Sequence, residues 1–348
     1  MNQPPTKRLS YLDSSRGLAA LAVLLSHFQL TILPQLNDSW LLKTPLHLFF
    51  DGTSAILYFF ILSGYVLTLS IQNSEQLSIF SYIKFITLRI FRIFPAFIVT
   101  LLITYLTIHF FVSRPSTWLF RYWTAPSDFY SLLKQAVLIV RFPDDPLLRL
   151  IPQDWTLTIE IAISLLLPLL SYSSQKKSLL VLIFIYCAVQ FLRLDPFVFD
   201  FSIGIYIACN RGNLKIKWFQ NKYKIPLLLI ALGLICTDFA FPHVMAVTDI
   251  VLIHHKSWGL AIFLWAIISS TKTQRLLSLK PLIFLGKISY SFYLQHLIIL
   301  FIMTVLFLTL STITFLLVYL LITILVSSIT YYRIEKPFNK IARFLINK

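Results

Sequence analysis

Residues 16–27, RGLAALAVLLSH, set an arginine and a histidine eleven positions apart in a stretch otherwise built of Gly, Ala, Leu, Val and Ser. As a helix, that separation is about 16 Å along the axis. If the stretch crosses a membrane with Arg16 at one water interface, His27 lies near the middle of a hydrocarbon layer roughly 30 Å thick. An ionisable side chain at that depth is costly to bury and marks a functional site by default. The plainer reading is a core histidine bonded to a carbonyl or a hydroxyl. Two things decide between them: whether the chain is a membrane protein, and whether it supplies partners for His27.

Composition answers the first. Of 348 residues, 57% are hydrophobic and 13% charged, and the mean hydropathy is +0.79. Soluble domains carry about 25% charged residues, so the fold class is an all-α, multi-pass membrane protein. The 31 Phe, 16 Tyr and 7 Trp suit rings anchored at headgroup level. A net charge of +16 invites a nucleic-acid partner, but the basic residues fall in short clusters between apolar runs. They read instead as topology determinants and contacts to anionic membrane lipids, with no nucleic acid. Cys187, Cys209 and Cys236 stand alone without metal spacing and are expected as buried packing residues. LPQLNDSW after the first run lacks a small-x-small cleavage pattern, so that run is expected to remain as a helix.

Apolar runs at about 17–33, 47–71, 92–112, 156–172, 179–193, 196–210, 225–241, 257–271, 288–308 and 311–332 predict ten transmembrane helices. With the N-terminus cytoplasmic, 22 of the 30 Lys and Arg fall on the cytoplasmic side and eight outside. That asymmetry favours ten spans with both termini cytoplasmic. Residues 113–155, rich in Pro, Trp, Tyr and Arg, form the one sizeable extracytoplasmic loop, an ordered cap over a cavity rather than a linker. The whole chain, 1–348, reads as one domain.

Depth then selects partners for His27. In the ninth run, LGKISYSFYLQH, His296 lies nine residues beyond Lys287, about 14 Å in from the same side. From the outer face, QDWTLTIE carries Glu160 five residues past Trp155, about 7 Å in. Glu160 is the one acid expected within the membrane; Asp13 and Asp51 fall at interfaces and Glu335 in the tail. A carboxylate beside His27 would fix the imidazole tautomer and prepare it to take a proton from an alcohol. Arg89 and Arg92, in LRIFRIFPAF, share a helix face and could clamp phosphates with forked donors. Their bland reading is topology and lipid phosphate. Lys84 and Arg16 lie on the same side, so a nucleotide-bearing cofactor has a dock there. Ser63-Gly64 permits close helix approach. Ser289, Tyr290, Ser291 and Tyr293 bond across helices or line the cavity. His254 and His255 have no acidic or Cys neighbour at ligand spacing, so no metal is expected, and the chain has no phosphate loop, dinucleotide fingerprint or Gly-x-Ser-x-Gly elbow.

Several stretches together are familiar in order: arginine, ten residues and histidine; FFILSGYVL; RIFRIFPAF; WTLTIE; LGKISYSFYLQH; and YYRIEKPF. From Arg16 to Phe338 they resemble the membrane acyltransferase-3 family, integral-membrane O-acyltransferases of bacterial surface polysaccharides and related acceptors. The resemblance implies a ten-helix core in the cell inner membrane that binds no permanent cofactor. Its donor substrate would be cytoplasmic acyl-CoA, most often acetyl-CoA, and its acceptor a hydroxyl of a glycan or lipid-linked glycan. By position it makes His27 the essential histidine and Arg16 its paired arginine. Arg89 and Arg92 match the arginines of the third span, Glu160 the acid of the fourth, and Ser289, Tyr290 and His296 the ninth-span motif. The chain departs from the pattern at Thr156, where serine is usual, and at Gln295, where tryptophan is common. With the chain ending at 348, no appended esterase-like domain is expected. Two rivals stand beside this reading. One is a proton-coupled transporter using His27, Glu160 and His296 as a relay, and the other a non-catalytic polysaccharide-export subunit.

Overall fold

The computed structural model describes residues 9–38, 44–72, 78–110, 118–123, 129–138, 150–191, 197–210, 224–236 and 249–346. Among them the regular elements are all helical. In order they are α1 Ser10–Ile32, α2 Gly52–Gln72, α3 Ile79–Phe110, α4 Phe129–Ala136, α5 Asp154–Phe191, α6 Phe197–Cys209 and α7 Lys224–Ile235. Then follow α8 Asp249–Ser269, α9 Thr271–Leu277, α10 Lys280–Phe307, α11 Thr312–Thr330 and α12 Lys336–Ile346. A π-helical turn, Tyr331–Glu335, joins α11 to α12. Among the described residues α1, α2, α3, α10 and the run Thr312–Ile346 are long and apolar enough to cross a membrane.

The solvent that this fold is built for can be read from α11. Its buried face carries Phe315, Tyr319, Thr323, Ser327 and Thr330. Ile313, Leu317, Leu321, Leu325 and Ile329, at a spacing of four, are exposed. Leaving such a side chain in water forfeits about 1.5–3 kcal/mol relative to burial. A helix with hydroxyls inside and a Leu/Ile stripe outside is stable only where the surroundings are apolar and polar groups pair between helices. This is a multi-pass membrane protein.

Two of the expected spans are not separate helices. Runs 156–172 and 179–193 belong to a single helix, the 38-residue α5. Between them SYSSQKKS contains neither Gly nor Pro, so nothing ends the backbone ladder, and Pro168 sits inside the helix without stopping it. At the helical rise α5 is about 57 Å long, well beyond one hydrocarbon thickness. The three cysteines also differ from expectation: all are free, Cys187 is exposed and the other two are half-buried. Where lipid is the solvent, a small apolar thiol gains little from an interior position.

Contacts divide the chain into two compact units, one of Met1–Ala22, Ser39–Tyr82 and Ile163–Lys287, the other of Val23–Asp38, Ile83–Ala162 and Ile288–Lys348. The first unit is closed by glycines. A Cβ on Gly64 of α2 would lie 2.1 Å from the Phe201 carbonyl oxygen, and one on Gly204 of α6 2.0 Å from that of Ile61. The close approach expected at Ser63-Gly64 is therefore real, with α6 as its partner. In the second unit Phe28 packs on Phe315 and Tyr319. Trp123 meets Phe301 edge-on and donates from its indole to the Leu150 carbonyl at 3.1 Å. The Gln135 amide oxygen accepts from the Leu150 and Ile151 N–H groups at 3.0 and 3.4 Å. The described parts of segment 113–155 are thus tied down by buried bonds.

Candidate functional site

The second unit holds the histidines. The helical spacing of SYSFYLQH sets Tyr293 and His296 three apart on one face of α10. His296 Nδ1 lies 2.7 Å from the Tyr293 carbonyl. A ring nitrogen facing a carbonyl must carry the proton. His296 is 1% exposed, and as a neutral imidazole it then offers Nε2 as an acceptor. That nitrogen lies 2.8 Å from His27 Nδ1 on α1. His27 therefore donates through Nδ1, and its own Nε2 carries the basic lone pair. The partners, rather than observed hydrogens, assign both tautomers.

The relay is braced from three sides. Gln153 Nε2 donates to the Tyr293 and Leu294 carbonyls at 3.2 and 2.8 Å. The Tyr319 hydroxyl donates to the His296 carbonyl at 3.0 Å, and the Tyr293 hydroxyl bonds Thr156 Oγ1 at 3.0 Å. Thr156 keeps the hydroxyl that serine would bring, so this departure from the family pattern preserves the contact. Gln295 turns to α11, donating to Thr330 Oγ1 at 2.7 Å. Beyond the histidine pair, whose rings stack at 5.0 Å, Trp118 stacks on His27 with centroids 5.4 Å apart and planes at 26°.

Glu160 has a different neighbour from the one expected. Arg89 Nη2 donates to Glu160 Oε1 at 2.6 Å, joining α3 to α5. The imidazole support at His27 comes from His296, and the carboxylate answers a guanidinium. Arg89 is 7% exposed and its Nε makes no hydrogen bond. Arg92, one turn on, is half-buried. The Tyr290 hydroxyl donates to the Ile93 carbonyl at 2.7 Å and feels the charges of Arg89, Arg92, Glu160 and Glu335. Ser289 is buried beside it in the chain. Ser291 Oγ donates to Glu335 Oε1.

Glu335 is the residue that sequence reading missed. Counted as tail, it is buried at the end of the π turn YYRIE. Such turns add a residue to the ladder and recur at functional sites. The signal was there in YYRIEKPF, whose Glu follows the last apolar run without a break. Nor is Glu160 alone among acids: in the first unit Asp51 and Asp200 are buried as well.

The first unit contains Arg16, whose Nη1 lies 3.6 Å from Asp13 Oδ1. Gly17 follows it because Cβ there would meet Gly286 N at 2.7 Å. Asp51 stands just ahead of α2, where Ser54 donates to it from backbone and hydroxyl at 2.9 and 2.5 Å. Lys256 Nζ donates to it at 3.2 Å, and His47 Nε2 lies 3.5 Å away. Burial alone would raise the Asp51 pKa. His47, the Lys256 charge and the two Ser54 bonds outweigh it and hold the carboxyl well below the usual carboxylate range.

Comparison with known proteins bears on what this arrangement does. A family model described as an acyltransferase domain matches residues 9–332, taking in Arg16, His27, Arg89, Arg92, Glu160 and His296. No curated protein and no solved structure matches the chain.

Proposed function

The chain belongs to the acyltransferase-3 family, and on that premise we propose that it moves an acyl group, most simply acetyl, from cytoplasmic acyl-CoA to a hydroxyl of a surface glycan or lipid-linked glycan. The observation that carries the reading is the hydrogen-bond chain from the Tyr293 carbonyl through His296 to His27. It leaves a half-buried imidazole with its Nε2 basic, the state a general base needs.

The step balances simply. His27 Nε2 takes the acceptor hydroxyl proton while the hydroxyl oxygen bonds to the thioester carbonyl carbon. The C–S bond then breaks, its electron pair leaves on the CoA sulfur, and the sulfur takes the proton back from His27. Ester and free thiol are the products. For the donor phosphates, Arg92 and Lys84 are the half-buried cations of α3, and Arg16 keeps its assignment on sequence grounds. Arg89, bound to Glu160, is their buried neighbour on the same helix. The setting we propose is the cell inner membrane, with both termini cytoplasmic as the charge pattern favours.

The test uses the full chain in lipid nanodiscs with acetyl-CoA and a glycan acceptor. His27→Ala should lower transfer by about 10²–10⁴-fold, the usual contribution of a general base, while the variant purifies as a folded protein. Near-normal ester formation by that variant would sink the assignment.

A further inference from the structure

At the C-terminal end of α1 the second unit contains a cavity of about 490 Å³, lined by Leu30, Thr31, Gln35, Trp118, Thr312 and Phe315 among others. Its volume falls within the roughly 300–1,000 Å³ of small-molecule sites. Three observations say what it would hold. Thr31 is 5% exposed, yet its hydroxyl has no hydrogen-bond partner. A buried hydroxyl left in that state costs about 1–3 kcal/mol, so a ligand that bonds it recovers that energy. Secondly, Trp118 lines the cavity and also stacks on the His27 ring; Leu30 and Thr31 lie three and four residues past His27, on its face of the helix. Whatever fills the cavity is therefore adjacent to the proposed base. Thirdly, no charged side chain is among the described lining residues. That composition rejects phosphates and carboxylates, and with them the nucleotide end of acyl-CoA.

We propose that this cavity is the acceptor subsite, taking a neutral sugar ring against Trp118 with one ring hydroxyl bonded to Thr31 Oγ1. A pyranose has an apolar face of C–H bonds that suits the negative face of an aromatic ring, and hydroxyls around its rim. Thr31 and the exposed amide of Gln35 supply the matching polar contacts. Leu30 and Phe315 exclude water behind the ring. Naming the cavity an acceptor subsite rests on the acyltransferase reading; the binding of sugar does not.

The experiment is photolabelling of the full chain in nanodiscs with a diazirine-bearing β-glucoside, competed by methyl β-glucoside. Labelled peptides should map to residues 30–35, 118 and 308–315. Thr31→Val, which keeps the side-chain shape, should weaken competition roughly 2- to 10-fold, the worth of one hydrogen bond. Trp118→Ala should weaken it further. Label elsewhere, label that the glycoside does not compete, or a Thr31→Val variant indistinguishable from the parent would each overturn the proposal. Acyl transfer from acetyl-CoA is measured in the same preparation. Competed label in the cavity without any ester formed leaves the sugar site standing and removes the transferase reading. Ester formed with label elsewhere does the reverse.

Discussion

At the scale of single residues, the sharpest predictions concern the second imidazole. In the reaction we propose, His296 acts on substrate only through His27, which makes it a positioning residue, and its removal should look different from removal of the base. With His296→Ala, nothing at that position holds His27 Nδ1–H, and both tautomers become populated. We expect kcat to fall about 10-fold or more, less than for loss of the base itself, with the acceptor KM little changed. His296→Gln offers an amide oxygen to His27 and an N–H to the Tyr293 carbonyl, and should recover part of the rate.

Asp51 gives a residue-scale prediction about stability. Its pKa is depressed in the folded protein, so its contribution is present above the unfolded carboxylate value, about 3.9, and is lost as pH falls through the folded value. Asp51→Asn strips the buried Lys256 of that counter-charge, a change that costs about 3–5 kcal/mol for a buried pair. Thermal unfolding in detergent should show the variant well below the parent at neutral pH. The gap should close as the pH drops below about 4. A constant gap across that range would mean that the carboxylate charge is not the source of the stability.

At the scale of elements, the glycines divide into those under compression and those in open space. Gly204 faces the α2 backbone with no room for a methyl group, whereas a Cβ on Gly233 of α7 meets nothing within 4 Å. Gly204→Ala should therefore force α2 and α6 apart and destabilise by about 1–3 kcal/mol or more, as overpacking does. Gly233→Ala should be neutral or stabilise by about 0.4–1 kcal/mol, because it only restricts the unfolded chain. Thermal melts of the two purified variants check both signs at once. The same scale accounts for Glu335: the π turn Tyr331–Glu335 brings inward a carboxylate that the end of the apolar run would leave outside.

At the scale of the whole molecule, the charge pattern and α5 bear on the same question. An excess of Lys and Arg on alternate connections implies an even number of crossings. A continuous α5 removes one turn from the count. We expect the charge pattern to prevail, since it is carried by many separated clusters. Cysteines placed at Lys7 and Lys348 in a cysteine-free background should both react with a membrane-impermeant maleimide only after the cytoplasmic face is opened. Labelling of one end from outside would put the termini on opposite faces, the odd number of crossings that merging two of ten runs into α5 gives.

The membrane class, the long apolar helices and the matching depth of His27 and His296 were legible from residue order, because hydropathy and depth along a helix are local properties. Two limits are local as well: SYSSQKKS is polar enough to separate two apolar runs yet contains nothing that stops a helix, and Glu335 lies just past the last apolar residue. Which ionisable group meets which could not be read that way. Depth brings His27 and Glu160 toward each other from opposite faces, but it fixes only one coordinate, and rotation about each helix decides what each side chain meets. Tertiary packing turns His27 to His296 and Glu160 to Arg89. It also folds Trp118, far from either in sequence, onto the imidazole. That two histidines reach a similar depth is a matter of the sequence; the hydrogen bond between them, and the cavity beside them, exist only once the helices are packed.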